Sequence, residues 1–146
     1  MESHSVSDGV QTLAMSSRRR VAVTAGVLLG MFLAALEATI VGTAMPTVIS
    51  SLGGLSHYSW VFSAYLITST VTVPVWGKLS DLYGRRLFFQ LGIAVFLLGS
   101  ILSGLSTSMA QLIAFRALQG LGAGALVPLG MTIIGDVYTL EERARM

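Results

Sequence analysis

Residues 21–40, VAVTAGVLLGMFLAALEATI, contain a single charged side chain, that of Glu37. A helix rises about 1.5 Å per residue, so twenty residues cover about 30 Å, the thickness of the hydrocarbon core of a bilayer. The apolar stretch continues to residue 77 with no further charge. Because this length exceeds one crossing, it predicts a hairpin of two membrane-spanning helices.

A second stretch has the same character, because residues 87–135 contain one charge, that of Arg116. The composition agrees: 53% of the residues are hydrophobic and 11% are charged, whereas a soluble domain has about 25% charged residues. The mean hydropathy is +0.77. Short runs of alternating polar and apolar residues, which are typical of strands, are missing. The sequence therefore predicts an all-α membrane protein with four transmembrane helices.

Helix-breaking residues set the predicted boundaries within the two stretches. Pro46, Gly53 and Gly54 interrupt the first stretch, and Ser-Thr-Ser at 106–108 interrupts the second. The predicted order is a tail (1–20), span 1 (21–44), an outer turn (45–59), span 2 (60–76), a loop (77–86), span 3 (87–105), an outer turn (106–108), span 4 (109–134) and a link (135–146).

The basic residues lie on one side of this arrangement. Eight arginines and lysines fall in the tail, the loop and the link, and none falls in the two outer turns. By the positive-inside rule, the loop and both ends of this chain are predicted to be cytoplasmic, in a plasma membrane. A basic surface that binds anionic lipid is compatible with the same pattern. The basic residues therefore indicate a lipid bilayer as partner and give no indication of nucleic acid.

Several function classes lack the residues that they need. The chain has no cysteine, and its two histidines, His4 and His57, are isolated in the predicted tail and outer turn, so no metal site is predicted. The run GLGAGA at 120–125 has the glycine spacing of a dinucleotide-binding loop, but it lies in a long apolar helix and follows no strand. No cofactor and no enzymatic activity are predicted.

The two intramembrane charges are candidates for function. A charge at the bilayer centre costs at least about 2.5–3.5 kcal/mol, so each should face protein or a wet cavity. Glu37 shares a helix face with Gly26 and Gly30, a pair of small residues that favours close helix packing. Glu37 and Arg116 both fall in the outer half of their spans and could pair. Glu37 could then bind and release a proton; alternatively, the pair is static, or Arg116 extends outward.

The loop GKLSDLYGRR, residues 77–86, concentrates charge in a chain that has little of it. Asp81 lies four residues before Arg85, which allows an ion pair on one helical turn; such a pair can be a surface contact of little energetic weight. Gly77 would permit close approach of another helix, and Gly84 would permit the positive φ of a tight turn. Elsewhere, Met31, Phe62, Tyr65 and Met131 are candidates for the lining of a small-molecule cavity or for ordinary packing.

Three segments resemble sequence motifs of the major facilitator superfamily. GKLSDLYGRR is similar to the family's cytoplasmic loop between spans two and three, although Leu82 stands where a basic residue is usual. RALQGLGAG, residues 116–124, resembles the span-four motif of proton-coupled members. LEATIVGTAMP, residues 36–46, resembles the span-one motif of drug:proton antiporters with fourteen spans, which usually has an aspartate at the position of Glu37 and an asparagine at that of Gly42.

This resemblance implies a fold and a function. The four spans would correspond to the first part of the N-terminal bundle of a proton-coupled exporter of drugs or other small amphipathic molecules that works by alternating access. The implied roles are proton coupling for Glu37, Arg116 and Gln119; gating for Gly77, Asp81, Gly84, Arg85 and Arg86, with Asp81 as a latch against the second bundle; and close helix packing for Gly26, Gly30, Gly120, Gly122, Gly124 and Pro128.

Members of that family have twelve or fourteen spans, so the sequence predicts a fragment whose partners are small substrates, protons and the missing remainder of the same polypeptide. The sequence leaves two other classes of protein as alternatives. A complete four-span multidrug exporter would also have an acid in span one, but a weak charge bias between its loops. A membrane scaffold that transports nothing would need neither Glu37 nor Arg116 in the hydrocarbon.

Overall fold

The computed structural model describes residues 16–138, Glu142 and Ala144. Four long helices follow one another: α1 (Ser17–Leu52), α2 (Tyr58–Tyr83), α3 (Arg85–Gly104) and α4 (Met109–Val137). A short 3-10 turn, Leu55–His57, joins α1 to α2. The described residues include no strand. The predicted all-α fold is confirmed.

Three of these helices, α1, α3 and α4, are long and apolar enough to cross a membrane. Helix α2 has 26 residues, which is sufficient length, but its serines, threonines and tyrosines make it less apolar than the other three. Its crossing of the bilayer therefore stays a prediction. The three apolar helices identify a membrane protein.

The helices are longer than the predicted spans. Helix α1 continues through Pro46 to Leu52, so the first eight residues of the predicted outer turn (45–59) are helical. Helix α2 continues to Tyr83, and α3 begins at Arg85, so Gly84 is the one residue of the 77–86 loop outside a helix. Proline removes a single helical hydrogen bond, and membrane helices tolerate that loss when nearby groups compensate. Most of the tail and part of the link, including Arg143 and Arg145, lie outside the described residues.

Helix α4 is the centre of the structure and packs against the other three helices. Within the most apolar part of each helix, 56% of the residues are buried in α4, compared with 17% in α1 and 22% in α3. Helix α1 packs less extensively against α4 than α2 and α3 do. Side chains on α4 are therefore the ones most completely removed from solvent and lipid.

Glycines allow α2 and α3 to approach α4 closely. A methyl group at Gly120 or Gly124 would lie closer than 3.0 Å to a main-chain oxygen of α2, and one at Gly122 would meet α3 in the same way. On α3, a methyl group at Gly99 would lie 2.6 Å from the Cα of Gln119. These positions have no space for a larger side chain.

The other positions predicted to take part in packing differ from one another. On α1, Gly30 is buried and faces the ring of Phe89 on α3. Gly26 is exposed, and no described atom of another helix lies within 4 Å of a Cβ placed there, so the described residues do not support a packing role for it. Pro128 lies inside α4, as Pro46 does in α1 and Pro74 in α2.

Two apolar clusters form the core along the bundle axis. The larger cluster is centred on the middle and the C-terminal half of α4 and includes Val27, Phe96 and Leu129. The smaller cluster, Met45, Val61, Met109 and Leu112, lies near the start of α4. Glu37, Arg116 and Gln119 lie between the two clusters in sequence along α1 and α4, and they are buried.

Candidate functional site

Glu37 on α1 and Arg116 on α4 are in direct contact. Nη1 of Arg116 donates hydrogen bonds to Oε1 of Glu37 and to Oε1 of Gln119, the latter at 2.8 Å. Nε of Arg116 lies 3.5 Å from the carbonyl oxygen of Val61 on α2. The exposed fractions are 8% for Glu37, 3% for Arg116 and 1% for Gln119. The three candidate residues for proton coupling therefore form one buried cluster.

Tyr65 on α2 completes the surroundings of Arg116. The guanidinium carbon lies 4.4 Å from the centroid of the Tyr65 ring, within the range of a cation–π contact. The main chain of Tyr65 packs directly on Gly120, one turn after Arg116. The sequence indicated Tyr65 as a candidate for a cavity or for ordinary packing, and nothing in the spacing of α2 relative to α4 predicts its contact with Arg116.

The buried cluster leaves some hydrogen-bonding capacity unused. Oε2 of Glu37 and Nε2 of Gln119 are buried and accept or donate no hydrogen bond among the described residues. A buried polar atom without a partner costs roughly 1–3 kcal/mol. The cluster can thus bind a proton or a small polar species without first breaking the contact between Glu37 and Arg116.

Cavities lie on two sides of the cluster. The first cavity, between α1, α2 and α4, has a volume of about 410 Å³. The second cavity, of about 320 Å³, lies mainly between α1, α3 and α4 and reaches Glu37, Arg116 and Gln119. Met31 and Tyr65, two of the candidates for a small-molecule cavity, line the first, together with Ser69, Thr70, Gly124, Val127 and Pro128.

The predicted gating loop forms a second ionic cluster at the other end of the bundle. Arg85 contacts Asp81 at 3.2 Å and Asp136, near the end of α4, at 2.5 Å. Asp136 was not predicted, because 51 positions separate it from Arg85 in sequence.

The remaining loop residues have separate surroundings. Gly84 has a φ of +108°, which residues other than glycine rarely adopt. Gly77 has no described atom of another helix within 4 Å of a Cβ placed there, so the close approach predicted for it is not seen among the described residues. Arg86 lines a groove between α1 and α3 together with Arg19 and Phe89.

A third set of contacts ties α1 to the end of α4. Nη2 of Arg20 donates a hydrogen bond to the carbonyl oxygen of Val137 at 2.7 Å, and Arg20 pairs with Glu142 at 3.4 Å. The guanidinium also lies 5.3 Å from the centroid of the Tyr138 ring. Sequence reasoning counted Arg20 only as part of the basic tail, because its partners are more than a hundred residues away.

Comparison with known proteins identifies the family. A sequence model of the Major Facilitator Superfamily matches residues 27–146. The chain belongs to this superfamily. The match includes the Glu37–Arg116 cluster and the 77–86 loop, so the buried ion pair and the loop cluster are features of a major facilitator chain.

Named relatives of this major facilitator chain include a multidrug transporter, a multidrug resistance protein and an efflux pump. It is 47% identical over 129 residues to the multidrug transporter protein MdtP of Bacillus subtilis and 45% identical over 124 residues to multidrug resistance protein 3 of the same organism. These alignments cover 88% and 85% of this chain. The efflux pump dotC of Dothistroma septosporum is 42% identical over 118 residues, or 81% of this chain. The chain spans about a quarter of the length of the two bacterial relatives and 20% of dotC.

Proposed function

We propose that this chain is part of a proton-coupled exporter of drugs or other small amphipathic molecules that works by alternating access. The observation that carries the proposal is the buried contact between Glu37 and Arg116, with Gln119 as a further partner of Arg116. Charges inside a membrane are costly and mark ion and proton pathways. The names of the relatives, a multidrug transporter, a multidrug resistance protein and an efflux pump, support the direction and kind of transport.

Glu37 is the proposed proton carrier. When its carboxylate binds a proton, the negative charge beside Arg116 disappears, and the cation keeps Gln119, the carbonyl oxygen of Val61 and the ring of Tyr65 as its surroundings. The two protonation states thus differ in electrostatic free energy within a low-dielectric site. Because a ligand shifts a conformational equilibrium by its differential affinity, proton binding favours one of the inward-open and outward-open states over the other.

The substrate is proposed to bind in the first cavity, between α1, α2 and α4. Most of its lining is apolar, with a thioether from Met31, the ring of Tyr65 and hydroxyls from Ser69 and Thr70. This mixture suits amphipathic molecules, since apolar walls with a few polar groups are typical of small-molecule sites. Tyr65 contributes to both this cavity and the surroundings of Arg116. No chemical conversion of the substrate is assigned to the chain.

The proposed topology follows the distribution of basic residues. Helix α2 is the second of four spans, the 77–86 loop and both ends of this chain face the cytoplasm, and the membrane is the plasma membrane. The cluster of Arg85 with Asp81 and Asp136 is proposed to act as a cytoplasmic gate that engages a second helical bundle of the same polypeptide. Similarity to family members several times longer favours this function over a four-span exporter or a scaffold.

The test replaces Glu37 in the full-length protein and measures drug efflux driven by a proton gradient in proteoliposomes. Glu37→Gln removes the proton-binding carboxylate at nearly constant volume and is expected to abolish proton-driven efflux. Glu37→Asp keeps a titratable carboxylate and is the matched control, with partial activity expected. Drug-to-drug exchange, which needs no net proton movement, should survive in Glu37→Gln. Unchanged proton-driven efflux by Glu37→Gln would reject the proposal.

A further inference from the structure

We propose that the second cavity, between α1, α3 and α4, binds water and conducts protons to Glu37 from the end of the bundle opposite the 77–86 loop. The substrate cavity lies on the other side of the ion pair, so protons and substrate would use separate routes. This inference rests on the proposed function, because it assigns a proton path to the proton carrier named there.

The position of the cavity fits a path from the bundle end to Glu37. At its inner end it reaches Glu37 and Arg116; along α1 it extends as far as Val48. On α3 it reaches Ser103 and Gly104, the last two residues of that helix. Glu37 and Val48 are eleven positions apart, which is about 16 Å along a helix. The cavity therefore extends from the buried carboxylate to the level at which α3 ends.

Unsatisfied polar atoms indicate what occupies the cavity. Three side chains that line it, those of Glu37, Ser103 and Gln119, each carry a buried atom that makes no hydrogen bond among the described residues. The carboxylate oxygen accepts, the amide nitrogen donates, and the hydroxyl does both. Buried water characteristically bridges such groups, and each molecule takes up about 30 Å³ of liquid volume. A cavity of about 320 Å³ has room for several water molecules.

The charged and titratable groups around Glu37 leave one destination for an incoming proton. Helix α4 presents Arg116, whose guanidinium group has hydrogen-bond donors and no acceptor, and α2 presents Tyr65. The residues of α3 that line the cavity, Phe96, Leu97, Ser100, Ser103 and Gly104, include no titratable group. A hydronium ion would transfer its proton to Oε2 of Glu37, which yields a carboxylic acid and a water molecule. Oε1 keeps its hydrogen bond from Arg116 during this step.

The ion pair and Tyr65 separate this cavity from the substrate cavity. The residues that line the two cavities are different throughout: Tyr65 and Ser69 belong to the first, and Glu37, Arg116 and Ser103 belong to the second. Arg116 and Tyr65 are stacked on each other at the boundary. A bound substrate in the first cavity would therefore leave the proposed water path open, which permits proton binding while the transporter is loaded.

The test uses thiol labelling, since this chain contains no cysteine of its own. Ser103→Cys places a thiol in the proposed water path, and the matched control Ser69→Cys places one in the substrate cavity. Both variants are made in the full-length protein with any other cysteines replaced. A small, charged, membrane-impermeant methanethiosulfonate reagent is added from the outer side of proteoliposomes, with and without a transported drug.

The expected result has three parts. Ser103→Cys is labelled from the outer side, the drug does not protect it, and labelling slows proton-driven efflux by about a hundredfold or more, the order of effect that positioned proton transfer contributes. Drug-to-drug exchange by the labelled protein stays unchanged. Ser69→Cys is protected by the drug, and its labelling inhibits both activities.

Three results would overturn the inference: no labelling of an active Ser103→Cys protein, labelling without a loss of proton-driven efflux, or protection of Ser103→Cys by the drug. Ser103→Ala serves as a second variant if the thiol impairs folding, and it is expected to slow proton uptake while leaving drug affinity intact. If the labelling results contradict this inference while Glu37→Gln is inactive in proton-driven efflux, the proposed function still stands. An active Glu37→Gln variant would instead reject the proposed function itself.

Discussion

The buried contact of Arg116 with Glu37 and the loop cluster of Arg85 with Asp81 and Asp136 both join an arginine to carboxylate groups, and they differ in their surroundings. The side chains of Arg116 and Glu37 are 3% and 10% exposed and lie among apolar side chains. In the loop cluster, 35% of the Arg85 side chain is exposed, together with 64% of Asp81 and 53% of Asp136. The same pair of charges interacts far more strongly at low dielectric than in water, where salt also screens it.

Because the two clusters differ in exposure, their charged residues can have different roles. In the buried cluster, loss or gain of a single charge changes the free energy of the protein by several kcal/mol, so protonation can drive a conformational change. In the loop cluster, each ion pair contributes less than about 1 kcal/mol. A function there depends on which surfaces the charges can reach, because their contribution to stability is small.

The largest effect is expected from breaking the buried pair. Arg116→Met leaves the Glu37 carboxylate buried without its cation, which should lower the stability of the full-length protein by about 3–5 kcal/mol. The midpoint of thermal unfolding in detergent and the yield of folded protein measure this change. The double variant Glu37→Gln with Arg116→Met removes both charges and should recover most of the loss. If Arg116→Met were as stable as the native protein, Glu37 would not depend on Arg116 for compensation of its buried charge.

An intermediate effect is expected from glycines in the two regions. Gly120→Ala places a methyl group against the carbonyl oxygen of Tyr65 and the hydroxyl of Thr68, so α2 must move away from α4 beside Arg116. Overpacking of this kind costs about 1–3 kcal/mol. Gly77→Ala, in the loop region, meets no described atom of another helix within 4 Å and should leave stability unchanged or slightly improved. Thermal unfolding of the two variants side by side tests this order, and a larger loss for Gly77→Ala would reverse it.

The smallest effect on stability is expected in the loop cluster. Asp81→Asn and Asp136→Asn should each change the free energy of unfolding by less than about 1 kcal/mol, and higher ionic strength should reduce the difference further. Efflux measured on the same variants separates stability from gating: if Asp81 takes part in the gate, Asp81→Asn slows transport while the unfolding midpoint stays near the native value. If Asp81→Asn transported at the native rate, Asp81 would take no part in the gate, and its contact with Arg85 would be a surface ion pair only.

The sequence predicts well the features that depend on residue types that are rare in a given stretch, such as charged residues in the apolar stretches. Each apolar stretch has one charge, and a lone buried charge needs a partner, so the sequence by itself indicates Glu37 and Arg116 as a possible pair. Glycines before a change of helix direction were equally informative, since Gly53, Gly54 and Gly84 all have positive φ in the structure. The all-α membrane fold follows from hydropathy alone.

Other features could not be predicted because they depend on how the helices are placed relative to one another. Asp136 was one acidic residue in a polar link until the structure placed it beside Arg85. The contact of Tyr65 with Arg116 depends on the approach that Gly120 permits between α2 and α4. The end of α1 was predicted too early, since Pro46 was interpreted as a helix breaker although the helix continues past it.

The prolines in α2 and α4 have a consequence for how a ligand could be recognised. Pro74 and Pro128 have no main-chain N–H, so the carbonyl oxygens of Thr70 and Gly124, four positions earlier, cannot receive the usual helical hydrogen bond from them. Both Thr70 and Gly124 line the first cavity. These two peptide oxygens therefore lack their helical donor and are acceptors that a ligand with a donor group could use. Exchange of the wall side chains other than the prolines leaves these acceptors in place, so alanine scanning of those positions would underestimate the polar character of the wall. Replacement of Pro74 or Pro128 would restore the N–H and remove the acceptor.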